Sequence, residues 1–513
     1  MGQAACRNCC SEGPQVEIQS VVAPTAHPCV EPDTMGHEPE SPSSELPAIH
    51  LTQSSREVPS LLRGVPLRRT LQQGGRMWRY RPTDLSFAER SVLFASSAPT
   101  DSLDVFLSHA WETPGRWKYL SLLVQYGWRS MLVAWAIGTG LSFLLCMAGV
   151  LPLFRHWEGT AAGVRVASPY GCWILLGGLI SALAGLFASP YIAWGKSSCG
   201  FLDFLCIHQT DEILMQQGIN NLAGFLEASK ELRVMWSPPL LSRLWCVFEL
   251  AAFRKLNPGG GIAVQPIFVE ATMCQIFLWM HAMSIASWVA GPPSSHGAGT
   301  LIVVMGLGCF LFPLVHALRR NYLYKQTLLA QLASFDVKHA RCQCESDEAH
   351  IHAAIVHWYG SLHAFSEHVR GPLREELMKV LEAPGFPFGY AFLLSTPMLS
   401  TGLEVWVAYW KGGATLEGML AYTLAMVFGM NFVWFPAMWA LLIFSCEKGI
   451  GFRSFRCRPC CETVALALIW WFLFLFGTLC GIRAYASSLT LALLWLAIAV
   501  LFAGSTARYL WRK

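Results

Sequence analysis

Charged residues are scarce in this chain. Asp, Glu, Lys and Arg make up 14% of its 513 residues, whereas an ordinary globular protein carries roughly a quarter. Hydrophobic residues reach 54%, more than one core of normal size can bury, so a wholly soluble enzyme and a disordered chain are both excluded. The net charge of +4 is too small to indicate a nucleic-acid partner and suits loops on an anionic membrane face. The composition predicts an integral membrane protein, with the lipid bilayer as a partner.

No amino-terminal secretory signal is expected, because the first long apolar run begins only near Ser130. Most of the 18 cysteines lie in apolar runs or beside basic residues, which is typical of reduced thiols rather than of a disulfide framework. Residues 1–82 are rich in Pro, Ser, Glu and Thr and show no apolar period. They are predicted to form a disordered tail.

The tail opens with MGQAACRNCC, which offers two kinds of lipid anchor. Gly2 is a candidate for myristate, and Cys6, Cys9 and Cys10 are candidates for palmitate. The usual myristoylation pattern has Ser or Thr at position 6, where this chain has Cys6. An acylated terminus and a plain disordered one both stay open.

Several apolar runs of about 20 residues are long enough to cross a bilayer. They are residues 130–154, 169–194, 271–291, 299–318, 388–410, 419–446, 463–482 and 484–507. About eight spans in four hairpins are therefore predicted. Basic clusters at the span ends fall on one side of such a bundle, which places both termini and the soluble segments in the cytosol. Glu404 is the one acidic residue within these runs and marks a functional carboxylate, a span end or a helix contact.

Short apolar strands alternate with helices around the first predicted hairpin. Strands are predicted at residues 104–108, 201–207, 232–236 and 262–269, and helices at 116–126, 211–228 and 243–256, the last capped by Ser242. This alternation indicates a parallel sheet covered by helices on both faces. Residues 83–128 and 195–270 are therefore predicted to form one α/β domain, interrupted by a membrane hairpin at 129–194. The other predicted regions are a second hairpin at 271–318, a cytosolic helical region at 319–385, and two further hairpins with a basic cytosolic loop at 386–513.

Polar and aromatic side chains follow three of the predicted strands. They are Ser108, His109, Trp111, His208, Gln209 and Ser237. Ligands of parallel sheets bind at the carboxyl ends of the strands, where these groups could hydrogen-bond a sugar or stack on a ring. Satisfying the loop backbone is the alternative role for each of them.

Glu249 is the strongest candidate for a chemical role. Its helical neighbours at three and four positions are Trp245, Cys246, Ala252 and Phe253. No basic residue is therefore placed to pair with it along the helix. A carboxylate on an apolar face is costly unless something meets it, which is typical of functional carboxylates and of buried structural ones.

The segments DVFLSHAW, LDFLCIHQTD and VMWSPPLLSRLWCVFEL resemble the TIR (Toll/interleukin-1 receptor homology) domain, closest to its plant and protist branch. RLWCVFEL is the most specific portion, and the Cys-Ile-x-Gln element is similar to fungal heterokaryon-incompatibility domains. The resemblance implies a flavodoxin-like sheet that acts when self-assembled. In TIR domains that cleave NAD, it implies a catalytic Glu at Glu249 and a nucleotide pocket lined by Ser108 and His109, with Trp245 and Cys246 as further binding candidates.

Three functions stay open from the sequence. The first is a membrane-anchored TIR-like signalling protein that cleaves NAD, which would be its substrate rather than a bound cofactor. The second is a non-catalytic scaffold that self-associates through the same domain. The third is a transporter or channel with a regulatory domain, although its spans contain almost no polar pathway. The histidines and cysteines of residues 319–384 lack the paired spacing of a closed zinc site, so no metal is expected.

Overall fold

The computed structural model describes residues 61–80, 84–192, 197–290, 298–342, 345–382, 388–448 and 458–511. Two large apolar cores are present. One lies around a mixed β-sheet and the other among long helices. The acylation candidates Gly2, Cys6, Cys9 and Cys10 lie outside the described residues.

The described strands and helices follow in chain order. The strands are β1 Arg63–Pro66, β2 Ala98–Pro99, β3 Leu103–His109, β4 Arg155–Ala161, β5 Val164–Tyr170, β6 Cys199–Phe201, β7 Ser229–Trp236 and β8 Gly261–Pro266. The helices of the first half are α1 Leu67–Thr70, α2 Gln72–Arg79, α3 Phe87–Ala95, α4 Gly115–Met147, α5 Trp173–Ala188, α6 Asp203–Cys206, α7 Glu212–Asn220, α8 Leu222–Glu227 and α9 Leu244–Leu256. Those of the second half are α10 Phe268–Ala290, α11 Ala298–Ala333, α12 Glu345–Tyr359, α13 Leu362–His368, α14 Arg374–Glu382, α15 Phe388–Lys411, α16 Leu416–Tyr422, α17 Phe435–Lys448, α18 Arg458–Ser487 and α19 Leu489–Trp511.

The larger sheet has six strands in the order β2–β1–β6–β3–β7–β8. β6, β3, β7 and β8 are parallel, and β1 and β2 form an antiparallel edge. Val105 of β3 is in register with Gly200 of β6. The prediction that the chain before and after the membrane hairpin shares one parallel sheet is therefore confirmed.

The helical region predicted at residues 319–385 packs on this sheet through its described residues and completes its core. Phe248 of α9 stacks on Trp358 of α12 with ring centroids 5.5 Å apart, and the Tyr359 hydroxyl donates to the Ala251 carbonyl at 3.0 Å. Apolar residues from α11 to α14 belong to the same buried cluster as the strands. Helix α9 is consequently covered on both sides, which explains why most of its side chains are buried.

The predicted disordered tail is too long. Its residues 61–80 form β1, α1 and α2, and Val65 pairs with Gly200 of β6. Val65, Leu67 and Trp78 are buried in the sheet core. The elements of this segment are four to eight residues long, too short to show a period in the sequence.

Two further predictions in the sheet region are wrong in part. The strand expected at residues 201–207 ends at Phe201, and Leu202 O accepts hydrogen bonds from Leu205 and Cys206 in a helical turn. A short apolar run fits a buried strand and a buried helix equally well. Ser242 does not cap α9, because its hydroxyl donates to the Pro239 carbonyl at 2.7 Å within a 3₁₀ turn.

Six described helices are long and apolar enough to cross a membrane. They are Gly115–Met147, Phe268–Val289, Gly389–Lys411, Leu416–Cys446, Cys461–Ser487 and Leu489–Leu510. Leu416–Cys446 comprises α16, the π-helical segment Thr423–Trp434 and most of α17. The chain thus has the architecture of a multi-pass α-helical membrane protein. Helix α5 is also apolar but shorter, and the count of eight spans stays a prediction.

The loop expected between the first two predicted spans, at residues 155–168, forms a β-hairpin. Helix α4 runs unbroken from the sheet domain to Met147, and the antiparallel strands β4 and β5 then lead into α5. Glu404 Oε2 accepts the backbone N–H groups of Ile174 and Leu175 at 2.8 and 3.3 Å. The carboxylate therefore satisfies two amides at the start of α5 that have no partner within that helix.

Candidate functional site

The candidate site lies where β3 and β6 end, against one side of α9. A cavity of about 230 Å³ opens between the loop after β3, the turn of α6 and α9. Trp111, Gln209 and Arg243 line it and are only half-buried, so the cavity reaches the surface. Its apolar wall is formed by Ala110, Ile207, Met215, Ile219 and Leu222.

Most of the candidate residues meet at this cavity. Those that line it are His109, Trp111, Gln209, Trp245, Cys246 and Glu249. They come from three separate stretches of sequence, and the parallel pairing of β3 with β6 and β7 brings the stretches together. Ser108 lies one residue before His109 on β3, fully buried.

Glu249 lies in the second turn of α9 with 8% of its surface exposed. Burial raises the pKa of Glu249 to about 8. The nearby Ser108 hydroxyl opposes that rise, and the Asp203 carboxylate adds to it. Ser108 Oγ and Glu249 Oε2 nevertheless have no hydrogen-bond partner within the described part of the chain. Ser108 therefore acts on the carboxyl by proximity, and Glu249 Oε2 is a buried carboxyl oxygen without a hydrogen bond at the edge of the cavity.

Asp203 is a second carboxylate at the cavity, and the sequence analysis did not single it out. Its Oδ2 accepts a 2.6 Å hydrogen bond from Trp111 Nε1, and its Oδ1 accepts the Phe204 N–H at 2.7 Å. Burial raises the pKa of Asp203, against the effect of the Trp111 hydrogen bond. An acidic residue inside an apolar run is the same signal that identified Glu249, so the sequence did contain a sign of it.

His109 and Cys246, two further titratable groups at the cavity, are uncharged at neutral pH. Burial holds the pKa of His109 well below its usual range, and the nearby charge of Lys118 lowers it further. Burial and the Glu249 carboxylate hold the pKa of the Cys246 thiol well above its usual range. Cys246 is therefore a weak nucleophile, and Glu249 is the better candidate for a chemical step.

A second cavity, of about 470 Å³, adjoins the first and shares His109 and Trp111 with it. Its cationic side chains are Arg79, Arg116 and Lys118, and Asp84 also lines it. Lys118 is 5% exposed. The first turn of the 33-residue helix α4 forms one wall, and helix amino termini attract anions.

The close approach of two segments shapes this second cavity. A Cβ atom on Gly115 would stand 1.5 Å from the Trp78 carbonyl oxygen, so only glycine fits where α4 begins. The cavity could not be predicted from the sequence. Arg79 lies in the segment predicted to be a disordered tail, and the sequence pattern places Arg116 and Lys118 among the basic residues that flank a membrane span.

His208 and Ser237 do not line either cavity. His208 Nδ1 accepts the Asp211 N–H at 2.9 Å, and its ring packs on Phe94 with centroids 4.5 Å apart. Ser237 Oγ shares a 2.7 Å hydrogen bond with Thr113 Oγ1. Both side chains therefore hold loops next to the site.

Comparison with protein-family models, with curated proteins and with solved structures finds no match to the chain. Among the described residues, no group of three or more His, Cys, Asp or Glu side chains is placed to hold a metal ion. The function is therefore inferred from the geometry and charge of the two cavities.

Proposed function

We propose that this chain is a membrane-anchored signalling protein whose α/β domain is TIR-like and cleaves NAD at the nicotinamide–ribose bond. One observation carries the proposal. Glu249, on the helix that resembles the catalytic helix of TIR domains, lines a surface cavity together with Trp111 and Gln209. A buried carboxyl group that lines a cavity and has an oxygen without a hydrogen bond suits a catalytic role better than a structural one.

The topology of the sheet supports this proposal. Taken in chain order, the four parallel strands are arranged second, first, third and fourth, which agrees with the strand order of flavodoxin-like sheets. Such sheets bind nucleotides at the carboxyl ends of their strands, where the order reverses. Both cavities contain His109 and Trp111, which follow the first of these strands.

The chemistry needs a negative charge beside the ribose. As the C1′–N bond breaks, its electron pair leaves on the nicotinamide nitrogen and the ribose gains oxocarbenium character. The Glu249 carboxylate would stabilise that charge and accept the proton of the water that forms the new C1′–O bond. Nicotinamide and ADP-ribose are the products. Trp111 and Trp245 offer aromatic faces for the nicotinamide ring.

The adjoining basic cavity suits the pyrophosphate of NAD. The substrate carries its two phosphates next to the ribose that reacts, and Arg79, Arg116 and Lys118 line the cavity next to Glu249. Charged hydrogen bonds from arginine and lysine are the usual contacts of phosphate oxygens. A cavity that contains a carboxyl group, next to a cavity that is lined by basic side chains, fits a dinucleotide better than a single base or sugar.

A non-catalytic scaffold is the second candidate, since TIR-like domains also act by self-association. The two functions are separated by measuring nicotinamide release from NAD by full-length protein in lipid vesicles, at low and at high protein density. The proposal predicts turnover that rises more than proportionally with density. Association without any turnover would favour the scaffold and would overturn the enzymatic proposal.

A further inference from the structure

A third cavity, of about 610 Å³, lies where the sheet domain meets the membrane helices. Three segments of the chain form it: α1, the part of α4 that leaves the sheet domain, and the segment that follows α5. Its principal side chains are Arg68, Tyr126, Trp128, Arg129, Val133 and Ile192. None of them contributes to the two cavities beside Glu249.

The polar half of this cavity carries charge of one sign. Arg68 and Arg129 line it, and among the residues that the structure describes no Asp or Glu does. The Arg129 guanidinium lies 5.3 Å from the centre of the Trp128 ring. Arg68 makes one long side-chain hydrogen bond, 3.4 Å to the Ile192 carbonyl. Hydroxyls of Ser130, Ser189, Ser197 and Ser198 complete this half. Two guanidinium groups and several hydroxyls suit a phosphate group.

The remaining lining residues of the cavity are apolar, and two of them, Leu132 and Val133, belong to α4. Val133 belongs to the candidate span of α4. Val133 and Ile192 are each 41% exposed. Trp128 and Tyr126 lie one to two turns before Val133, which is where aromatic residues mark the membrane–water interface. A ligand with a charged head and an apolar tail matches both halves.

We propose that this cavity binds one anionic phospholipid, with its phosphate between Arg68 and Arg129 and an acyl chain along Val133 and Ile192. Because Arg68 belongs to α1, the lipid joins the segment that precedes the sheet domain to the first membrane helix. The site lies on the side of the bilayer that carries the sheet domain. It does not depend on whether the domain cleaves NAD.

The test uses full-length protein in nanodiscs of phosphatidylcholine with added phosphatidylserine, and native mass spectrometry to count retained lipid. Wild type is expected to retain phosphatidylserine over phosphatidylcholine. Each arginine near a membrane surface contributes roughly a fivefold gain, so Arg68→Gln and Arg129→Gln are each expected to weaken retention about fivefold, and the pair about 25-fold. The Arg68→Lys/Arg129→Lys pair should recover most of it, because it keeps both charges.

Two matched controls separate this site from a general effect of charge. Arg69→Gln alters the exposed neighbour of Arg68 outside the cavity, and Arg508→Gln alters an exposed arginine near the end of α19. Equal losses in the controls and in the cavity variants would overturn the proposal. Inorganic phosphate or glycerophosphoserine that displaces the lipid at equal concentration would show an anion site instead and would also overturn it. If the paired glutamine variant fails to fold, equal retention of the two lipids by wild type refutes the site.

Discussion

Trp111 Nε1 donates a 2.6 Å hydrogen bond to Asp203 Oδ2, and helices α4 and α5 lie between these two residues in the sequence. The same two segments meet in the sheet, where Val105 pairs in parallel with Gly200. The inserted hairpin thus leaves the α/β domain whole, because α4 and α5 pack together and return the chain to the sheet. The cavity beside Glu249 exists only because of this closure.

Loss of that hydrogen bond should destabilise the joined domain. Trp111→Phe keeps a ring but leaves a buried carboxylate oxygen unpaired, which costs about 1–3 kcal/mol. The melting temperature of the purified protein is expected to fall, and Trp117→Phe, an exposed position on α4, should leave it unchanged. The double variant Trp111→Phe/Asp203→Leu should lose less stability than the sum of the losses in the two single variants. If the stability losses of the two single variants simply add in the double variant, the hydrogen bond between Trp111 and Asp203 does not stabilise the joined domain.

The pH profile of NAD cleavage should follow the titration of Glu249. The reaction needs the carboxylate, and burial raises the pKa of Glu249 to about 8. We expect kcat/KM to rise with pH from 6 upward and to level off above about 8, since kcat/KM reports groups of the free enzyme. A rate that is independent of pH across this range would exclude Glu249 as the group that must ionise.

Asp203 provides a way to shift that profile. Its negative charge raises the pKa of Glu249, so Asp203→Asn should move the midpoint of the profile to lower pH while Asn still accepts the Trp111 hydrogen bond. Glu227→Gln changes an exposed acidic residue of the same domain and should leave the midpoint in place. A shift to higher pH in Asp203→Asn would contradict the assigned geometry.

Glu249 should also make the stability of the protein depend on pH. Its pKa in the folded state is about 8, above the ordinary value of 4.5. Between these values the folded state holds a proton that the unfolded state releases, so stability falls as pH rises, by up to about 1.4 kcal/mol per pH unit. Glu249→Gln should therefore raise the melting temperature more at pH 8 than at pH 5. An equal gain at both values would argue against a buried, titrating carboxyl.

Part of this fold could be predicted from the sequence because its signals are local. A membrane helix needs about 20 consecutive apolar residues, and α10 and α15 follow such runs closely. β3 and β7 are short apolar stretches between turn signals, and both are strands as expected. Glu249 could be singled out because a carboxylate among apolar helical neighbours is visible in the sequence.

The rest depends on contacts between distant segments. β1 is a strand because it pairs with β6, more than a hundred residues away, and nothing within residues 63–66 signals this. The hairpin of β4 and β5 lies between two apolar runs and is held by backbone hydrogen bonds, such as that from Ala162 N to the Tyr485 carbonyl at 2.9 Å. The basic cavity needs α2 and α4 side by side, which no local pattern predicts.

The orientation in the membrane is a further prediction from the one-sided basic clusters. Gly360 and Gly413 offer a matched pair of insertion sites, since both have positive φ and no atom within 4 Å of an added Cβ. A glycosylation tag inserted after Gly360, or added after Lys513, should stay unmodified because both positions are expected in the cytosol. A tag after Gly413, expected on the opposite face, should be glycosylated. The reverse pattern would refute the topology.

The central claim is that Glu249 carries out NAD cleavage, and the most direct measurement compares two glutamine variants. Wild type, Glu249→Gln and Glu227→Gln are each reconstituted at high density in vesicles at pH 8, and released nicotinamide and ADP-ribose are counted. Removing the charge that meets the developing cation is expected to lower kcat by about 10²-fold or more, while Glu227→Gln retains wild-type turnover. Wild type is predicted to form nicotinamide and ADP-ribose in equal amounts. Glu249→Gln is predicted to insert normally into the membrane but to turn over NAD more slowly, by about 10²-fold or more. Turnover by Glu249→Gln at the wild-type rate would contradict the claim.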